Sequence, residues 1–160
     1  MSARSGGEPV YSRPFEKTSG GVWHRRANAL RQNRQMPYTL EFPDSELRDV
    51  VREGALVRVR LAAAAACNDA GERGWLTSVT LDFSHAVLHS DSSHTFGRIK
   101  EAFLQHGSQR ITQLAVPGTL TRDVTLSLRL ANATQIVIGQ AHALEAHLND
   151  DTHFREDFSC

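Results

Sequence analysis

The sequence predicts a mainly β fold, a compact antiparallel β-sandwich or partly open barrel with one or two short helices. Three observations lead there. Apolar and polar residues alternate with period two in several segments of residues 37–148. Those segments are separated by Gly, Asn, Asp and Pro turn signals. Six to eight short strands result, and no long helical stripe competes with them. At 160 residues and 40% hydrophobic composition the chain is long enough to bury one substantial core.

The elements follow in order. Tyr38 to Phe42 alternates as a strand. Pro43-Asp44-Ser45 then reads as a turn and N-cap for a short helix, with Leu47, Val50 and Val51 on one face and Gly54 as its stop. In Leu56 to Cys67, Val57, Val59, Leu61, Ala63, Ala65 and Cys67 fall on one side, with Arg58 and Arg60 opposite. Asn68-Asp69-Ala70-Gly71 is a turn. It leads into a strand from Gly74 to His89 with Trp75, Val79, Leu81 and Phe83 in phase, and the two segments make a hairpin. Residues 95–113 read either as a helix or as a hairpin around His106-Gly107-Ser108-Gln109, and the internal Gly97 favours the hairpin. Val124, Leu126, Leu128 and Leu130 face one way, and Ile136 and Ile138 continue that phase. A three-residue loop, Asn132 to Thr134, would pair Leu128 with Ile138.

The charges divide the chain. Residues 1–36 hold seven basic and two acidic side chains, a net of +5. The other 124 residues hold eleven basic and sixteen acidic ones, a net of −5, so the whole chain is neutral. That excludes a uniformly basic coat for nucleic acid. Three regions follow: a Gly/Pro-containing basic arm (1–36), a β-rich domain (37–148) and an acidic-aromatic tail (149–160). The arm lacks the apolar surface to offset ordering entropy, except that residues 22–35 read as a short polar helix. Met1 to Leu30 contains no apolar core of a secretory signal. The longest apolar run, Leu61 to Cys67, is far short of the roughly 20 residues a spanning helix needs. Two cysteines make no disulfide framework, and arginine and alanine are abundant while lysine is scarce. A cytoplasmic bacterial protein without a membrane partner is the expectation.

No Gly-rich phosphate loop, nucleophile elbow or paired-cysteine motif is present. The expected function is therefore binding or assembly without catalysis: an accessory subunit, inhibitor or immunity-type protein engaging a protein partner or its own copies. The candidate contact residues are Trp23, Arg25, Arg26, Arg31 and Arg34 in the arm and Phe154 and Phe158 in the tail, where aromatic anchors alternate with charge. The two phenylalanines can equally pack back on the domain. The arginines and amides of the arm also suit RNA or DNA, with Trp23 stacking on a base. A third expectation is a metal site for zinc or another divalent transition ion. His85 and His89 lie two steps apart on one strand face, followed by Asp91 and His94, and His142 can approach from a neighbouring strand. A bulge at Ser84-His85 would turn Ala86 and Leu88 inward and dissolve that set.

Overall fold

A computed structural model describes residues 37–90 and 95–156. Ten strands account for most of them: β1 (Tyr38–Glu53), β2 (Leu56–Cys67), β3 (Arg73–Ser84), β4 (Val87–Ser90), β5 (Gly97–His106), β6 (Gln109–Ile111), β7 (Gln113–Val116), β8 (Gly118–Leu130), β9 (Gln135–Leu148) and β10 (Phe154–Glu156). The order β3-β2-β1-β5-β8-β9 closes on itself through a β3–β9 pairing, giving a six-stranded antiparallel barrel. The short strands add to its edges: β10 on β3, β4 on β9, β6 on β5 and β7 on β1.

The expected short helix after Pro43 is instead the second half of β1. Val50 opposes Val59 and Val51 opposes Arg58 on β2. Adjacent β-branched residues favour this pleated surface, and long-range pairing overrides a three-residue helical spacing. Gly54, at φ +62°, is the tight turn between β1 and β2. Asp44, at φ 70°, marks a bulge, where register against β2 slips between Glu41 and Glu46. Ser45 repairs the ladder there. Its fully buried hydroxyl donates to Glu41 O at 2.7 Å and accepts from Ala65 N at 2.9 Å. A residue read as a helix cap thus satisfies a β-bulge. Among the described residues there is no helix, hence none long and apolar enough to cross a membrane.

The β2–β3 hairpin forms as expected. Asn68 Oδ1 accepts from Ala70 N and Glu72 N, and Gly71 takes φ +81°. Its inward phase changes midway, however. Val57, Val59 and Leu61 are buried, but then Ala64 and Ala66 rather than Ala63, Ala65 and Cys67. On β3 the buried apolar side chains are Leu76, Val79, Leu81 and Phe83, while Trp75 is half-buried. The cause is a kink at Ser78, φ 59°. Before it β3 pairs with β10, and after it with β9. Asn149 steadies the fork by donating to Ser78 O at 2.6 Å.

Residues 95–113 contain the hairpin, not the helix. Leu104 opposes Ile111 and His106 opposes Gln109 around Gly107-Ser108. The β8–β9 hairpin keeps the expected even phase but pairs Leu128 with Ile136, not with Ile138. The three-residue loop starts one residue earlier than expected, Ala131 to Ala133, closed by Leu130 N donating to Thr134 O at 2.9 Å, with Ala133 at φ 71° and Asn132 Oδ1 accepting from Thr134 N. Farther along, bulges at Arg122-Asp123 and Gln140 shift the same pair of strands.

Aliphatic side chains fill the barrel. Val59, Leu81, Leu126, Ile138 and Leu144 are wholly buried beside Phe83. Charged side chains stand outside, the reverse of a membrane barrel's pattern. The groups able to meet a partner therefore lie on the barrel's outer surface.

Candidate interaction face

Trp23, Arg25, Arg26, Arg31 and Arg34 fall outside the described residues, as do Asp91, His94 and Phe158 and the helix expected over 22–35. Phe154 is on β10, opposite Leu76, and its ring stacks on Tyr38 with centroids 5.3 Å apart. It is half-buried and packed against the core.

His85 and His89, expected on one strand face, are separated. β3 ends at Ser84, His85 turns at φ 51°, Ala86 is buried and β4 begins at Val87. The bulge that competes with the metal cluster is therefore the arrangement found. The last β3–β9 rung is Ser84 opposite Ala143, which sets His85 beside His142, whereas His89 opposes Val137. Those positions are five residue steps apart on β9, on the order of 15 Å along the strand. One ion, bound at about 2.1 Å, cannot be shared across that distance. The imidazoles of His85 and His142 do meet, with ring centroids 5.0 Å apart. Among the described residues no group of three or more His, Cys, Asp or Glu side chains is placed to hold a metal.

The outer face of β5, β8, β9 and β4 carries the most distinctive surface. Register aligns Phe103 with Ser127, Ser127 with Val137 and Val137 with His89. This row crosses four strands, about 14 Å at the usual strand spacing. Beside it runs a second row, Glu101, Arg129 and Gln135. Phe103 is 40% exposed, and the Arg110 guanidinium lies over its ring at 4.4 Å from the centroid. A shallow groove of ≈ 320 Å³ spans Glu101, Phe103, Arg110, Ser127, Arg129 and Gln135. A second, of ≈ 470 Å³, continues over Leu88, His89, Gln135 and Val137. Arg129 reaches Glu101 at 3.5 Å, both exposed, so that pair holds the arginine weakly.

Phe103 and Arg110, on the two arms of the hairpin expected within residues 95–113, are absent from the sequence-based candidates. The signal was there: in a hairpin turning at Gly107-Ser108, Arg110 opposes Gln105, so Phe103 is its diagonal neighbour on the same face.

The opposite wall bears an ion-pair ladder around a polar cleft of ≈ 340 Å³. Arg58 donates to both Asp82 oxygens at 2.8 and 3.1 Å, and Arg60 to both Asp49 oxygens at 2.7 and 2.8 Å. Each pair sits directly across a rung. The hydrogen bonds from these carboxylates, reinforced by their charge, raise both guanidinium pKa values above normal. His147 lies 3.7 Å from Asp82 and 3.6 Å from Glu145, which oppose each other as like charges. These arginines are already engaged across strands, which makes this cleft a fastening of the barrel wall rather than a receptor.

Comparison with family models, with characterised proteins and with solved structures gives no match.

Proposed function

We propose that the chain is a binding or assembly protein that grips a protein partner on the outer face of β5, β8, β9 and β4. The observation that carries this reading is Phe103, a large apolar side chain left exposed beside two grooves and capped by Arg110. Exposed aromatic and arginine anchors are the residues that dominate binding energy at protein interfaces. The partner that fits offers an apolar side chain to Phe103 and Val137 and a carboxylate to Arg110 or Arg129. The arm residues Trp23, Arg25, Arg26, Arg31 and Arg34 and the tail residue Phe158 extend the reading as further contacts. Their charge would mainly speed and orient the encounter. The proposal includes a cytoplasmic bacterial setting, on the strength of composition alone.

The test is affinity capture with the full chain, Phe103→Ser, Arg110→Ala and a form lacking residues 1–36, with protein and nucleic acid analysed in each eluate. A stoichiometric protein held by the full chain and lost from Phe103→Ser supports the reading. A partner kept by both face variants and lost with the arm moves the site to the arm. Nuclease-sensitive nucleic acid, lost with the arm, replaces the reading with RNA or DNA binding.

A further inference from the structure

We infer that His85 and His142 form a two-imidazole chelate for a borderline divalent transition ion, Cu(II) most tightly, at one end of the β3–β9 ladder. The pairing is imposed by the backbone. Ser84 opposite Ala143 is the last rung, and the next residues outward are His85 and His142. Directly opposed positions hold their Cβ atoms about 5 Å apart. The two rings accordingly sit with centroids 5.0 Å apart and planes inclined at 34°.

That separation matches the chemistry. Two imidazoles bound to one ion through nitrogens at about 2.0–2.1 Å have centroids about 4.5 Å apart at adjacent corners of a tetragonal Cu(II) site and about 5 Å apart on a tetrahedral ion. Both side chains are exposed, so an ion reaches them without opening the core. The terminal torsion of histidine is broad, so small rotations can aim the nitrogens at one point. His85 holds its left-handed conformation without glycine, a place where histidine is enriched. The bulge of β8 facing His142 adds one charge of each sign, Arg122 and Asp123, and so no net repulsion of a cation. Two neutral nitrogen ligands select imidazole-loving ions, in the order Cu(II) above Ni(II) and Zn(II). Water fills the remaining positions. This site keeps His85 and His142 of the sequence-based expectation without His89, and it is independent of the partner face.

The experiment is titration of the untagged full chain with Cu(II), then Ni(II) and Zn(II), by calorimetry with a competing chelator. Electron paramagnetic resonance of the copper form counts the bound nitrogens. The expected result is one equivalent of Cu(II) bound through two imidazoles. His85→Ala and His142→Ala should each weaken it about a hundredfold, because a lost arm removes the chelate advantage. His89→Ala should leave it unchanged. His85→Asn repeats the test with a residue that tolerates the same backbone, should the alanine variant unfold. Absence of a one-equivalent site overturns the inference, and so does binding that survives the double variant His85→Ala/His142→Ala. Loss in His89→Ala equal to that in His85→Ala also overturns it.

Discussion

Ser45 occupies the point where β1 leaves its ladder, and its hydroxyl bonds both Glu41 O and Ala65 N. Replacing it with alanine removes both bonds and leaves two backbone groups without these partners in a buried place. Ser45→Ala should therefore cost about 1–3 kcal/mol of stability, read from the urea midpoint at constant slope. A shift within error would mean that water or a backbone adjustment replaces the hydroxyl. The arginine ladder should behave differently, despite its bidentate geometry. Arg60 and Asp49 keep 41% and 29% of their side-chain surface exposed. A double-mutant cycle between them should give a coupling of about 0.2–1 kcal/mol, falling as salt is added. A coupling several times larger would show that the cleft screens this pair from solvent. Neither role could be read locally from the sequence. Ser45 after Pro43-Asp44 is a strong N-cap pattern, and only the strand opposite decides that its hydroxyl serves a bulge.

The strands fork at residues that carry no turn signature. β3 divides its edge between β10 and β9 at Ser78, and β9 divides its own between β4 and β3 near Gln140, both at positive φ. Period-two alternation made the strands legible, because one face of each is buried. The bulges were not legible, since a serine or glutamine in the left-handed region looks like any other polar residue. Two phase errors follow from the kink at Ser78: Ala64 for Ala63 and Leu76 for Trp75. Glycine does leave a readable constraint at Gly74. A methyl there would meet Phe154 Cζ at 2.8 Å and the Arg155 backbone. Gly74→Ala should therefore push β10 off β3 and unstack Phe154 from Tyr38, while the barrel stays closed through β3 and β9. Hydrogen exchange is the measurement. Amides of residues 154–156 should lose protection, and those of Val79 to Phe83 should keep it. Protection retained at 154–156 would show that β3 yields instead.

At the scale of the whole molecule, fold class was legible and closure was not. A barrel and an open sandwich share the same alternating strands. What separates them here is the pairing of β3 with β9, whose partners lie 59 to 69 residues apart in sequence, from Ser84 with Ala143 to Val79 with Leu148, and no local pattern encodes it. The candidate interaction face was hidden for the same reason, since Phe103, Ser127, Val137 and His89 become neighbours only through three successive registers. Among the described residues the buried core runs from Leu40 to Ala146. Removal of residues 1–36 should accordingly leave a barrel that unfolds in one cooperative transition with an unchanged midpoint. The truncated chain goes from neutral to a net charge of −5. Its association with an acidic partner should then slow, and more so at low salt, where charge steers encounter over a longer range. Its dissociation should not change if Phe103 and Arg110 supply the grip, because anchors of that kind act mainly on dissociation. Stopped-flow association and dissociation rates at two salt concentrations separate the two contributions. A slower association with an unaltered dissociation assigns steering to the arm and holding to the barrel face. A large rise in dissociation would place the holding contacts in the arm itself.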